Sequence, residues 1–245
     1  MELHGRTALV TGAGRRVGRA IAVALGERGM RVAAHYHGSA EGVAETVRLI
    51  EAAGGTARAL RADLGDPDAP PALVASAVAA LGGLDVLVNS AAVMERTPFG
   101  AISVAQWERI FALNLRAPFF LCQAAAPHLA GAQGGGAIVN IADLAAFETW
   151  PGYIPHGLSK AAVVHMTRSL ARVMAPTVRV NAVAPGTVLL PEGWTAPEGE
   201  ALRATTPLQR HGTPDDVVQA VLYLLQADFV TGETIVVDGG RRVRH

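Results

Sequence analysis

Seven short apolar runs, each separated from the next by an amphipathic stretch, constrain the fold of this 245-residue chain more than any other feature. The runs are rich in Val, Ile, Ala and Leu, which is typical of strands covered on both faces. Alternation with helices of this length predicts an α/β fold, a doubly wound parallel sheet with helices on both faces. The predicted strands cover residues 7–12, 31–36, 56–63, 84–91, 136–143, 178–186 and 233–240, and the predicted helices cover 15–28, 40–53, 67–81, 103–130, 153–174 and 213–226.

No repeat, low-complexity segment or linker interrupts this alternation, so residues 1–245 are predicted to form a single domain. Lys plus Arg and Asp plus Glu balance at 21 each, which argues against nucleic acid or an anionic membrane surface as a partner. Cys122 is the only cysteine, which excludes an internal disulfide, and we predict no metal site. The absence of a signal-peptide pattern and of a membrane-spanning apolar run favours a cytoplasmic protein.

The segment TGAGRRVG, residues 11–18, follows the first predicted strand and opens the first predicted helix. Exposed N–H groups and the helix dipole favour an anion at such a place. Gly12, Gly14 and Gly18 have the spacing GxGxxxG rather than GxGxxG. Their position in the first strand-helix-strand unit predicts a dinucleotide phosphate site, and an ordinary strand-to-helix turn is the alternative.

The end of the second strand bears on which dinucleotide binds. An NAD site places a carboxylate there, whereas this chain has HYHGSAEG at 35–42, with Glu41 already inside the next helix. Arg16, His37 and Ser39 offer charge and hydrogen bonds to a 2′-phosphate, so we predict NADP(H). In the alternative, Arg15 and Arg16 are solvated loop charges and nothing selects between the cofactors.

Seven ordered motifs carry a resemblance to a known family. They are TGAGRRVG, Ala-Asp at 62–63, NSAA at 89–92, the Asn of FALNLRAPFF, the Lys of HGLSK, VNAVAPG at 180–186 and VTGETIVVDGG at 230–240. The chain resembles the short-chain dehydrogenase/reductase family over essentially its whole length. The arginine of GRRVG, the HYHGSA stretch and Asp143 are similar to the pteridine reductases, which reduce pterins with NADPH. This resemblance implies a Rossmann fold, a small-molecule substrate and a homotetramer.

The resemblance also implies roles for individual residues. Lys160 would hold the nicotinamide ribose and Asn114 would support a nearby water, although Asn89, Asn114 and Asp63 have plain structural alternatives as hydrogen bonders or a turn cap. The implied cofactor contacts are Gly12, Gly14, Arg15, Arg16, Val17, Gly18, His35, Tyr36, His37, Ser39, Asp63, Leu64, Asn89, Ser90, Ala91, Lys160, Pro185, Gly186 and Val188.

The catalytic positions depart from the family pattern. The family has a tyrosine four residues before the lysine, and here that position is His156; the usual serine is Asp143. Lys160 is the only lysine of the chain, which indicates a site where a guanidinium cannot replace an ammonium. Pro155 suits the first turn of a helix, so His156 and Lys160 are expected on one helix face.

Reduction of a C=O or C=N bond needs a proton donor within hydrogen-bond reach. We expect Asp143, at the end of the fifth strand, to keep the His156 imidazole protonated, so that this pair replaces the tyrosine. Three alternatives stay open: Tyr153 as donor, Asp143 itself as the acid with His156 only orienting substrate, or a protein that binds cofactor without turnover.

The substrate side also differs from the pteridine reductases. Met94 falls where they stack a phenylalanine on the pterin, and it can cover a ring or simply line the pocket. Residues 187–207 are predicted to be a mobile substrate loop, with Trp194 as its anchor or as a buried loop aromatic. Glu148 and Trp150 precede the helix at the other rim, and the terminal residues RRVRH are expected to be a solvated tail.

Overall fold

The structure, a computed structural model, describes residues 1–190 and 195–243. In this part of the chain a seven-stranded sheet has the order β3-β2-β1-β4-β5-β6-β7 and every pairing is parallel. The strands are β1 (Thr7–Val10), β2 (Arg31–Tyr36), β3 (Thr56–Arg61), β4 (Val86–Asn89), β5 (Gly136–Ile141), β6 (Val178–Pro185) and β7 (Thr234–Val237). The predicted doubly wound α/β fold is confirmed.

Helices cover both faces of the sheet. They are α1 (Arg16–Glu27), α2 (Ala40–Ala52), α3 (Ala69–Leu81), α4 (Val104–Phe111), α5 (Ala117–Ala130), α6 (Ile154–Met174), α7 (Ala196–Ala204) and α8 (Pro214–Gln226). Ala8 and Val10 of β1 join the core under α1, α2 and α8, whereas Leu9 joins the core under α3 and α5. Successive residues of a strand point to opposite faces, which explains why β1 is apolar at every position.

The order of strand connections reverses between β1 and β4, which are neighbours in the sheet. The carboxyl ends of parallel strands at such a reversal form a crevice, where open α/β sheets bind ligands. The loops after β1, β4 and β5 all reach this edge, and they contain the predicted site residues. No helix in the described ranges is long and apolar enough to cross a membrane.

Two predicted elements differ in the structure. The single helix predicted for 103–130 is α4, a π-helical turn at Ala112–Arg116 and α5. The segment 187–207, predicted to be a loop, contains α7, which begins with a capping box in which Thr195 and Glu198 satisfy each other's backbone N–H groups. The Pro, Gly and Thr content of the segment obscured this helix, although Thr195 and Glu198 have the spacing of the box.

Candidate functional site

Glycines shape the loop between β1 and α1. Gly12 has φ +68°, and a Cβ there would lie 2.9 Å from Cα of Ala91. A Cβ on Gly18 would lie 2.2 Å from the carbonyl oxygen of Gly12. The backbone conformation and these close approaches therefore require glycine, and they leave a cradle without side chains beside β4.

The first turn of α1 lies above this cradle. Arg15 is the N-cap and makes no side-chain cap hydrogen bond, and α1 begins at Arg16. The N–H groups of the first helical turn have no acceptor within the helix. Amides in this arrangement bind phosphate, so the loop fits the pyrophosphate of a dinucleotide.

Arg16 points away from the predicted 2′-phosphate site. It adopts φ +52°, and its guanidinium donates to the carbonyl oxygens of Leu189 (3.2 Å) and Leu190 (3.4 Å) after β6. In this structure Arg16 is therefore bonded to the segment after β6, and its contact with a 2′-phosphate beside His37 and Ser39 stays a prediction. A left-handed backbone at residue 16 turns the side chain across the crevice, which periodicity could not reveal.

Two residues that the sequence analysis missed fasten the same loop to its neighbours. Arg19 donates to the carbonyl oxygen of Gly14 at 2.6 Å, and Thr46 of α2 donates to that of Ala13 at 2.8 Å. Thr46 is completely buried. A polar residue on the apolar face of α2 was the available signal.

His35 lies inside the protein rather than in the crevice. Its Nδ1 accepts the N–H of Gly12 at 3.1 Å, and its Nε2 lies 3.2 Å from the carbonyl oxygen of Ala62, to which it can donate. Burial lowers the pKa of His35 to about 4, and His37 adds to this decrease while the Ala62 carbonyl opposes it. The ring is therefore neutral, and His35 supports the phosphate loop from behind, contrary to the prediction of a direct cofactor contact.

The ends of β2 and β3 lie together beside the phosphate loop. Nε2 of His37 lies 3.8 Å from Oδ2 of Asp63, and both side chains are about three-fifths exposed. Ser39 packs against Gly14, where an added Cβ would lie 3.2 Å from the serine Cβ. The structure thus brings together three of the residues predicted for the adenosine side. Tyr36 ends β2, and Leu64 is buried directly after Asp63.

The end of β4 is tied to both neighbouring strands. Asn89 is buried and donates to Oδ1 of Asn140 in β5 at 2.9 Å. The N–H groups of Ser90 and Ala91 both donate to Oγ1 of Thr11, at 2.9 and 3.0 Å. Asn89 therefore has the structural role that the sequence analysis left open as its alternative, while Ser90 and Ala91 form the floor of the crevice.

The end of β6 forms the opposite wall. The N–H of Gly186 donates to the carbonyl oxygen of Val237 at 2.8 Å, and a Cβ on Gly186 would lie 2.9 Å from that of Asp238. Pro185 ends β6 and Val188 is buried. The backbone at 185–188 is thus held closely against β7.

Four polar side chains meet where β5, the π-helical turn and α6 converge. Nε2 of His156 lies 3.5 Å from Oδ2 of Asp143, within ion-pair range but without hydrogen-bond geometry. Asn114 lies in the π-helical turn, and its Nδ2 is 3.5 Å from Nδ1 of His156. Lys160 lies one helical turn after His156. Pro155 is in the first turn of α6, as the sequence predicts.

The hydrogen-bond partners around His156 favour the tautomer with hydrogen on Nδ1. The two N–H groups of Asn114 donate to the carbonyl oxygen of Val93 (2.9 Å) and to Oγ of Ser159 (3.1 Å). Nδ1 of His156 lies 3.2 Å from the same Val93 carbonyl oxygen, which can only accept. Nδ1 therefore carries hydrogen, and Nε2 faces Asp143.

Asp143 is the accessible member of this pair. Its Oδ1 accepts the N–H of Ala145 at 2.8 Å, which leaves Oδ2 directed toward the imidazole. The Asp143 side chain is 24% exposed and that of His156 only 3%. A molecule in the crevice therefore meets the carboxyl group before the ring.

Lys160 is a buried base beside the same carboxylate. It is 4% exposed, and its Nζ donates to the carbonyl oxygen of Ile141 at 2.8 Å. Burial lowers the pKa of Lys160 to about 8, and the charge of Asp143 partly opposes this decrease. A group of this kind can hold a hydroxyl or exchange a proton near neutral pH.

The remaining predicted residues are Met94, Tyr153 and Trp194. Met94 is 44% exposed, and the carbonyl oxygen of the neighbouring Val93 contacts Asn114 and His156. Tyr153 is the N-cap of α6, with its ring edge-on to Trp150. Trp194 lies outside the described residues. Groups of His, Cys, Asp or Glu that could hold a metal are absent from the described part of the chain.

The C-terminal residues are not a simple solvated tail. Arg241 is largely buried and forms an ion pair of 3.0 Å with Glu148, so the prediction is wrong at this position. Arg242 and Val243 are exposed, in agreement with it. A single sequence contains no signal that pairs residues so far apart.

The protein has a parallel sheet with a glycine-lined loop at its switch point and a buried lysine at the same edge. These features are typical of the dinucleotide-dependent oxidoreductases. The family model described as enoyl-(acyl carrier protein) reductase matches residues 12–242. The chain belongs to the short-chain dehydrogenase/reductase family, whose members use a nicotinamide cofactor.

Relatives match over nearly their full lengths. The 3beta-hydroxysteroid dehydrogenase 1 of Eggerthella lenta is 37% identical, covering 98% of this chain and 94% of its own. The 3-oxoacyl-(acyl carrier protein) reductase of Staphylococcus aureus is 35% identical, and the match covers 96% of this chain and 97% of the relative. A dehydrogenase/reductase from Sinorhizobium meliloti of known structure is 38% identical and superposes with a TM-score of 0.91, covering 98% and 97%.

Proposed function

We propose that this protein reduces a C=O or C=N bond of a small planar molecule with NADPH, and that Asp143 and His156 together supply the proton. One observation carries the proposal: Asp143, His156 and Lys160 lie together at the sheet edge that contains the phosphate cradle. Bound in that cradle, the nicotinamide cofactor would supply the hydride. The residues below bind, orient and protonate.

The preference for NADP(H) is supported by the chemistry at the end of β2. Tyr36, His37 and Ser39 stand there without a carboxylate, so a 2′-phosphate meets no repulsion from this strand. The carboxylate of Asp63, at the end of β3, is nearby. Its Oδ2 lies 3.8 Å from Nε2 of His37, within ion-pair range. Arg15 is exposed at the N-cap position of α1 and is the cation that we assign to the 2′-phosphate in place of Arg16.

The proton donor is the Asp143–His156 pair acting as a unit. When Nδ1 carries hydrogen, Nε2 of the neutral ring has a lone pair that faces the Asp143 carboxylate. Two acceptors do not attract each other, so the pair is stable only when a proton is on Nε2 or on Oδ2. Nε2 is buried and has no hydrogen-bond partner among the described residues. A proton from this pair therefore reaches a substrate through Asp143, the more exposed member, and His156 lies behind it.

Lys160 has the family's role of holding the nicotinamide ribose in this proposal. Its Nζ already donates to Ile141, and an ammonium has two further donors for ribose hydroxyls. Its positive charge also favours the carboxylate that Asp143 becomes after protonating the product.

The substrate class follows from the relatives and from the resemblance. Ketones are the substrates indicated by the names of the hydroxysteroid and oxoacyl relatives, and a pterin is the cyclic imine implied by the pteridine reductases. Exposed Met94 could cover a planar ring at the rim.

We also propose a homotetramer, on the basis of the family resemblance. The exposed side chains of Phe119 and Phe120 on α5 support an interface between subunits. Light scattering tests the oligomeric state.

The test combines cofactor binding with turnover. We expect tight NADPH binding by fluorescence titration, weaker NADH binding, and NADPH oxidation with a panel of dihydropterins, steroid ketones, oxoacyl thioesters and phenanthrenequinone. His156→Phe and Asp143→Asn should each lower kcat about 100-fold or more with NADPH affinity unchanged, whereas Tyr153→Phe should change little. The opposite ranking would assign the proton to Tyr153.

A second candidate is an NADP(H)-binding protein without turnover, acting as a sensor or through a partner. The family pattern has a tyrosine at the position of His156. The burial of Nε2 of His156 favours a protein without turnover, because this nitrogen does not reach a substrate directly. Tight NADPH binding with no oxidation across the whole panel would support this candidate and eliminate the reductase.

A further inference from the structure

The C-terminal turn at Arg241–Val243 packs against the segment that connects Asp143 to His156. Asp238 directs its path, because the two carboxylate oxygens accept the N–H groups of Gly240 (2.9 Å) and Arg242 (2.7 Å). The side chain of Arg241 is only 12% exposed as a result. This contact joins the end of the chain to the catalytic region.

Arg241 makes two contacts with the segment. Its Nη2 lies 3.0 Å from Oε2 of Glu148, and the same oxygen accepts the indole N–H of Trp150 at 2.9 Å. The guanidinium carbon lies 5.4 Å from the centroid of the Trp150 ring, within cation–π range. The indole in turn lies edge-on to Tyr153, the N-cap of α6, with 6.3 Å between centroids.

The segment is anchored on its other side as well. The N–H of Thr97 donates to the carbonyl oxygen of Gly152 at 2.7 Å. Asp143 lies before these anchors and His156 after them, so their geometry influences the 3.5 Å separation of the pair. Glu148 is 18% exposed, and a partly desolvated carboxylate that loses its partner costs more than an exposed one.

We propose that Arg241 is a positioning residue that acts through Glu148 and Trp150 to hold segment 147–153, and with it the geometry of Asp143 and His156. Its catalytic consequence rests on the proposed function. Its structural consequence does not, and the two can be tested separately.

The structural test is a charge exchange. Amide hydrogen exchange of residues 147–153 should be about tenfold faster in Arg241→Glu and in Glu148→Arg, and about threefold faster in the double variant, which restores the ion pair but not the two contacts with Trp150. Arg241→Gln serves if a reversed charge prevents folding. As a control, Arg48→Glu reverses one member of an exposed pair on α2 and should leave the segment unchanged.

The catalytic test uses phenanthrenequinone and NADPH. Arg241→Glu should lower kcat while the Kd for NADPH stays at the wild-type value, and the double variant should recover part of the lost kcat. The proposal would be overturned if both single variants exchanged at the wild-type rate, or if the double variant exchanged as fast as the single variants. A wild-type protein without turnover would instead refute the proposed function while the exchange result still decides on Arg241.

Discussion

The backbone N–H of Gly12 donates to Nδ1 of His35 at 3.1 Å, and this bond fixes the phosphate loop against the end of β2. The acceptor is a neutral imidazole whose other nitrogen faces the carbonyl oxygen of Ala62. One buried side chain therefore connects the proposed pyrophosphate site with the strand end that precedes Asp63.

Acid should weaken the protein through His35. The pKa is about 4 in the folded protein against an ordinary 6.5, so the unfolded chain binds more protons between these values. The stability contribution is complete above pH 6.5 and is lost as the pH falls toward 4, by about 3 kcal/mol in total. Urea unfolding from about pH 6.5 to about pH 4.5 should show about 2 kcal/mol of this loss.

The matched variant is His35→Gln, which does not titrate. Its free energy of unfolding should fall less than that of the wild type across the same interval. Parallel curves for the two proteins would show that His35 is not a buried neutral imidazole in solution.

The close approach at Gly12 predicts a specific loss of cofactor binding. Gly12→Ala places a methyl group 2.9 Å from the Ala91 backbone at φ +68°, so the loop must move. Gly5 offers a control, because it has φ +77° with nothing within 4 Å of an added Cβ. Both variants should lose about 1–2 kcal/mol of stability from backbone strain, but only Gly12→Ala should lose NADPH affinity in a fluorescence titration. Equal affinities would place the cofactor elsewhere.

Alkali should stabilise the protein through Lys160. The folded pKa of about 8 lies below the ordinary 10.5, so the unfolded state again binds more protons and stability from this group rises with pH in that window. The free energy of unfolding of the wild type should rise by about 2 kcal/mol relative to that of Lys160→Met between pH 8 and about pH 10. A constant difference would mean that the ammonium is hydrated rather than buried.

The doubly wound parallel sheet could be predicted from the sequence because it follows from local patterns, and the same kind of pattern indicates where a cofactor would bind. Buried parallel strands read as continuous apolar runs, and Gly12, Gly14 and Gly18 mark a turn that tolerates no side chain. The directions of Arg16 and Arg241 could not be predicted, because one depends on a left-handed backbone and the other on packing between distant segments. The inward orientation of His35 depends likewise on the packing of β2, where positions 32–35 are buried on both faces of the strand.

A tyrosine at residue 156 should take over proton donation beside Asp143. The pteridine reductases that the chain resembles combine an aspartate at the position of Asp143 with the family's tyrosine, so this carboxyl group is compatible with a phenol as donor. Nε2 of His156 lies 3.5 Å from Oδ2 of Asp143, which places a side chain at residue 156 next to that carboxyl group. We expect His156→Tyr to oxidise NADPH with phenanthrenequinone at a rate at least equal to that of the wild type, whereas His156→Phe should lose about 100-fold at equal NADPH affinity. A tyrosine variant as inactive as the phenylalanine variant would show that a hydroxyl at residue 156 does not reach the substrate.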